Sequence, residues 1–266
     1  MGTAAAISAQ GLSYKVGRTV LLQPLNLSFL AGEFVGVLGP SGCGKSTLLR
    51  CLAGLQAPSS GQVSFNGRPF PDLSTEERRR LGFVPQDDVV HGSLKVERAL
   101  NYTGRLLGLK GTELTNRVDQ VIGLLELGER RTLRTDRLSG GQRKRVSIAV
   151  ELMGDPPVLF LDEPTAGLDP ALEDSFMLSC RGLCQGGRTL VMSTHVMQSV
   201  ESLDLVVVLQ KGHLIYLGPP GQAAAYFGVP TLMQIYKSLA QQDPLQGMQR
   251  FAASPLHAAY VAGRAS

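Results

Sequence analysis

Nine residues, Gly39-Pro40-Ser41-Gly42-Cys43-Gly44-Lys45-Ser46-Thr47, have the types and spacing to hold phosphate. The glycines leave backbone N–H groups free to converge on an anion. Lys45 would reach β- and γ-phosphates as a point charge, and the Ser46 hydroxyl is placed to ligate Mg²⁺. A second run, Val158-Leu159-Phe160-Leu161-Asp162-Glu163, is an apolar strand ending in two carboxylates. A carboxylate at such a strand tip holds Mg²⁺ directly or through water, the role expected of Asp162. Glu163 is then free to orient or deprotonate an attacking water. A third, Leu138-Ser139-Gly140-Gly141-Gln142, has Ser139 and Gln142 at capping-box spacing. Its two glycines let backbone N–H groups approach an anion closely, although an ordinary capped helix explains these five residues taken alone.

The elements that must position these residues alternate in type. Ile7 to Val16 and Val20 to Phe29 read as β runs, and Gly32 to Gly39 as a short buried strand feeding a helix from Lys45 to Leu52. Gln62 to Phe65 leads into an Asn66-Gly67 turn, and Ser74 to Glu77 is a capping box opening a short helix through Arg80. From about Asp88 to Glu151 the spacing turns helical. Val96, Ala99, Leu100, Thr103, Leu106 and Leu107 share one face, and Leu114, Val118, Val121, Ile122 and Leu125 another. Val146, Ala149, Val150 and Met153 continue the helical spacing after Ser139. Strand, helix and strand then follow over Val158 to Leu161, Ala171 to Cys184 and Thr189 to Ser193. A hairpin is expected from Leu205 to Leu217 around Gln210-Lys211-Gly212. One more helix is expected through Leu232, Ile235, Tyr236 and Leu239, and residues 247–266 carry no pattern. The class is α/β, with a mainly parallel sheet, an N-terminal antiparallel β-subdomain and an inserted helical subdomain at about 88–151.

Composition narrows the classes. The 266 residues are 43% hydrophobic and 18% charged, suited to one large domain or a domain with a subdomain. A net charge of +4 is too diffuse to imply nucleic acid. The dense basic runs, Arg78-Arg79-Arg80 and Arg143-Lys144-Arg145, lie on helical stretches and read as solvated faces. No apolar run approaches the ~20 residues needed to cross a bilayer. Cys43, Cys51, Cys180 and Cys184 lack metal-site spacing and read as free thiols of a reducing cytosol.

In their order these motifs resemble the nucleotide-binding subunit of an ATP-binding-cassette transporter, over roughly residues 7–228. The resemblance implies a P-loop NTPase core binding ATP and Mg²⁺, with Leu138 to Gln142 as the family signature. It adds Gln86 as the Q-loop glutamine touching metal and water, Ala166-Gly167-Leu168-Asp169 as the D-loop, His195 as the switch histidine and Tyr14 as the ring stacked on adenine. It also implies a homodimer or heterodimer, paired head to tail, in which Ser139 of one copy faces the γ-phosphate held by the other. Such a pair would drive an integral-membrane permease from the inner, cytoplasmic face of the membrane, docked near Gln86 to Ser93.

Gln86-Asp87-Asp88, the run Arg143 to Leu152 and Ile215 to Pro220 with Tyr226-Phe227-Gly228 resemble the G-type (White-like) exporters. They are most similar to bacterial relatives in which this domain is often fused to forkhead-associated and membrane segments. Pro170 stands where eukaryotic members usually have Ser. The permease is then expected on a separate chain or in a longer protein, with residues 229–266 as a partly helical tail toward it. The rival reading, a cassette ATPase acting on nucleic acid or ribosomes, expects long coiled coils or two cassettes. Residues 48–137 show no sustained heptads, and a single cassette is present.

Overall fold

The structure is a computed structural model that describes residues 7–87, 90–166, 168–195 and 200–264. Strands β1 (Ile7–Val16) and β2 (Thr19–Phe29) pair antiparallel. β3 (Phe34–Leu38) is buried at every position, as a strand covered on both faces must be. The phosphate loop follows, then α1 (Lys45–Leu52). β4 (Ser60–Phe65) returns to pair with β1, and Asn66 and Gly67, with φ of 51° and 75°, make the tight turn into β5 (Arg68–Pro69). The resulting sheet, ordered β2-β1-β4-β5, is the expected N-terminal antiparallel subdomain. α2 (Thr75–Arg79) starts at Ser74 with both halves of its capping box formed, and β6 (Leu81–Val84) follows.

The inserted region holds α3 (Val96–Leu106), α4 (Gly111–Leu124) and α5 (Gly140–Leu152). On α4 the five expected residues are buried. On α3 the expected face holds for Val96, Ala99 and Leu100 but not for Leu106, 71% exposed, or Leu107. Gly104 takes that place, because a methyl group there would overlap Leu114 and crowd Met153, and the close helix contact leaves no room for a leucine stripe.

β7 (Val158–Leu161), α6 (Pro170–Gln185), β8 (Thr189–Ser193), β9 (Leu205–Gln210) and β10 (His213–Gly218) complete the core. The second sheet is ordered β10-β9-β3-β8-β7-β6 and is parallel except for β10, which returns through a Lys211-Gly212 turn with positive φ at both residues. One face packs Val35, Val37 and Phe160 against α1 and the antiparallel sheet, the other packs Phe34, Leu38 and Leu161 against the helices. α7 (Pro220–Phe227), α8 (Ile235–Gln241), α9 (Pro244–Ala252) and α10 (Pro255–Tyr260) follow.

Residues 229–264, expected as a partly helical tail, fold back onto the core. Phe251 is buried in the same cluster as Val35, Val37 and Phe160 and lies 6.4 Å, ring to ring, from Tyr216 on β10. Arg264 meets both carboxylate oxygens of Glu33, at 2.7 and 3.0 Å, just ahead of β3. Asp243 and Ser254 cap α9 and α10, each followed by proline at the first helical position.

Candidate functional site

Four neighbouring parallel strands, β6, β7, β8 and β3, end side by side. Beyond those ends stand Gln86, the Asp162–Glu163 pair, His195 and the phosphate loop, in the same order. Strands ~4.8 Å apart set the loops about 14 Å across in total, a span that one polyphosphate can bridge. Carboxyl ends of parallel strands are where open α/β sheets bind ligands.

The loop's shape needs its glycines. At Gly39 a side chain would overlap the Leu209 carbonyl oxygen and the Cys43 thiol. At Gly44 (φ 108°) it would lie 2.7 Å from Leu22 and 2.9 Å from the Leu21 oxygen. Lys45 is 5% exposed and its ammonium donates to the Gly39 oxygen at 3.0 Å and the Pro40 oxygen at 3.4 Å. It also stands 3.5 Å from Glu163 Oε1. A buried ammonium needs such partners, and all three lie where phosphate oxygens can replace them.

Asp162 is 1% exposed, and its Oδ1 accepts from Ser46 Oγ at 2.8 Å and from Ser193 Oγ at 2.7 Å. Ser193 in turn accepts from the Glu163 N–H at 2.8 Å, which holds Glu163 in left-handed backbone at φ 44°. The Glu163 carboxylate faces the Gln86 amide at 3.3 Å and His195 Nδ1 at 3.9 Å. The structure therefore brings together Gly39 to Ser46, Gln86, Asp162, Glu163 and His195. Ser46 and Asp162 offer hard oxygen ligands. Among the described residues no cluster of three or more His, Cys, Asp or Glu side chains could cage a metal. The Ser46 and Asp162 oxygens suit a cation held by one or two protein groups and completed by phosphate oxygens.

Other expected residues stand elsewhere. Thr47 lies in the first turn of α1, half-buried. Ser139 and Gln142 make a reciprocal capping box at the start of α5. With Gly141 they line a separate depression beside Leu168 and Leu172, while Gly140 opens the helix. Asp169 caps α6, accepting from the Leu172 N–H at 3.0 Å. Tyr14 pairs across β1–β2 with Leu22, the residue that packs on Gly44. Gly167 of the expected D-loop, and Asp88 and Val89 of the expected permease segment, lie outside the described residues. Burial raises the Cys43 thiol above its ordinary range, so it packs the loop as a neutral group.

Two contributors escape a reading of the sequence. Ser193 is a hydroxyl at the end of an apolar strand, the same signal that marks Asp162. Lys144 belongs to a run expected to face solvent, yet it is 6% exposed and donates to the oxygens of Pro85 (3.1 Å) and Gln86 (2.7 Å). Arg145 also turns inward, to Glu126 and Ser175. Lys144 thus ties α5 to the Gln86 loop. Lys144→Ala is expected to cost about 2 kcal/mol in chemical denaturation, the range for a hydrogen bond with a charged donor, here to two part-buried carbonyls. A change below about 0.5 kcal/mol would show that water replaces the ammonium.

Comparison with known proteins gives a consistent picture. Residues 22–166 match a protein family described as ABC transporter. The chain is 38% identical over 252 residues to an ABC transporter ATP-binding/permease protein of Mycobacterium tuberculosis, covering 93% of this chain and 29% of that protein. It is 34% identical over 237 residues to the Nod factor export ATP-binding protein I of Ralstonia nicotianae, covering 89% of this chain and 74% of that one. To ABC transporter G family member 21 of Arabidopsis thaliana the identity is 41% over 208 residues, 74% of this chain and 30% of the plant protein. The chain thus spans under a third of two of these relatives.

Proposed function

Since the chain belongs to the ABC transporter family, we propose that it binds and hydrolyses ATP to power export through an integral-membrane permease. The observation that carries this is the convergence of Lys45, Glu163, Gln86 and His195 on one space above Asp162. In this reading Lys45 exchanges the Gly39 and Pro40 oxygens for β- and γ-phosphate oxygens. Glu163, released from Lys45 and aligned by Gln86, takes a proton from the attacking water. His195 stands beside Glu163 at the γ end, and Tyr14 offers a ring to the adenine. Ser46 and Asp162 would hold Mg²⁺, which when bound offsets charge on the β- and γ-oxygens.

The second half of the site is proposed to come from a partner copy or a related domain. Its Ser139, Gly140, Gly141 and Gln142 would present the N-terminus of α5 to the γ-phosphate, with Asp169 nearby, and closure on ATP would drive the permease. Among the described residues no helix is long and apolar enough to cross a membrane, so the permease is a separate chain or a further part of a longer one. Its docking surface is proposed where α3 leaves Tyr102 and Leu106 exposed, beside a cleft lined by His91, Leu94 and Arg98 that extends the Gln86 to Ser93 segment. The protein would thus work at the inner face of the membrane. The Nod factor exporter and the G-family likeness favour a lipid-like or otherwise hydrophobic cargo.

The test has two arms. The purified chain is expected to release phosphate from ATP only with Mg²⁺, and a photo-cross-linker at Tyr102 to capture an integral-membrane protein in its native membrane. Absence of turnover with permease present removes the hydrolytic reading, and failure of capture removes the docking surface.

A further inference from the structure

The phosphate loop has a second neighbour that the nucleotide reading does not use. A cleft of about 760 Å³ is walled on one side by Gly39 to Cys43 and on the other by α8, with Glu163 and His195 at one end. Tyr236 of α8 reaches into it. Its hydroxyl oxygen is fully buried yet, among the described residues, makes no hydrogen bond of ordinary geometry. The Gly39 N–H is a backbone donor close enough to act on that oxygen, and the phenol's own proton is unspent. A buried hydroxyl in that condition costs free energy unless another state of the molecule uses it.

The helix that carries it is fixed to the same foundations as the loop. Gln210, the last residue of β9, donates its side-chain amide to the oxygens of Leu239 (2.5 Å) and Gln242 (3.0 Å). Two residues on, the Gly212 N–H donates to the Cys43 oxygen at 3.0 Å. One strand end therefore holds both α8 and the phosphate loop, and Tyr236 faces the loop across a gap whose walls share an anchor.

We infer that Tyr236 is a positioning residue of the phosphate loop, supporting its Gly39–Pro40 edge when the γ-phosphate draws Lys45 away. Without nucleotide, Lys45 itself ties that edge by donating to both carbonyl oxygens. A triphosphate takes the ammonium and leaves the edge without its internal tie. Tyr236 shares a cleft with that edge and has hydrogen-bonding capacity to spare. A ligand ending at the β-phosphate draws Lys45 less fully, so the support matters more for ATP than for ADP. Through this contact the C-terminal helices sense whether a γ-phosphate is present.

The inference rests on the ATP reading, and its test separates the two. Calorimetric titration of the full chain with ATP and with ADP is compared for wild type, Tyr236→Phe and Leu239→Ala. Removing only the hydroxyl is expected to weaken ATP about fivefold while ADP changes less than about twofold, with the melting temperature of the nucleotide-free chain unmoved or raised. Leu239→Ala, which loosens the packing of α8, is expected to lower the melting temperature and leave the ATP-to-ADP ratio as in wild type. A Tyr236→Phe protein with the wild-type ratio overturns the role of Tyr236 while ATP binding stands. So does a ratio that Leu239→Ala shifts equally, since packing alone would then explain it. A wild-type chain that binds neither nucleotide overturns the ATP reading and this inference with it.

Discussion

Lys45→Ala is expected to weaken ATP binding by roughly 10²–10⁴-fold. The ammonium would contribute charge-assisted hydrogen bonds to two phosphates, each worth about 1.5–3 kcal/mol. The effect on folding should be much smaller. The Pro40 oxygen, on an exposed residue, can turn to water, so only the buried Gly39 oxygen is left short of a donor. Glu163 loses its cationic neighbour as well, which adds repulsion toward an incoming triphosphate. Titration with a fluorescent ATP analogue, alongside a thermal melt, reads both quantities. Wild-type affinity in a folded variant would sink the phosphate-loop assignment.

Glu163→Gln should separate binding from chemistry. The amide keeps the size of the carboxylate and can still meet Gln86, so the site retains its shape. It cannot take a proton from water, and loss of a general base lowers turnover by about 10²–10⁴-fold. It also removes a negative charge from beside the γ-phosphate, so the ATP-bound state lives longer and a closed pair of domains accumulates. Size-exclusion chromatography with ATP should show a dimer, and phosphate release should be close to background. Normal turnover by this variant would mean that another group activates the water.

What the sequence makes legible here is what is encoded locally. Glycine spacing defines the phosphate loop, and an apolar run ending in Asp162 and Glu163 defines a strand tip. Both signals sit within ten residues and both elements stand where expected. The basic run 143–145 suggests a solvated face by composition, yet helix geometry turns Lys144 inward. Successive helix positions are about 100° apart, so three in a row cover most of the circumference and one of them is driven inward. The C-terminal helices do carry local signals, since Asp243-Pro244 and Ser254-Pro255 are helix starts. The approach of Tyr236 to Gly39 had no local signal at all. It depends on Gln210 joining two segments 29 residues apart or more, a relation that exists only in the folded chain.

The backbone at Glu163 has a consequence for how such a site persists. A side-chain-bearing residue at φ 44° costs about 1–2 kcal/mol that glycine would not. Ser193 offsets part of this by accepting from the Glu163 N–H. Glycine would relieve that strain but would also take from the buried Lys45 ammonium its carboxylate neighbour at 3.5 Å, so selection for thermal stability alone pulls this position both ways. In a library screened for heat resistance without an activity screen, the carboxylate should persist only as long as Lys45 keeps its charge, and the two should be lost together.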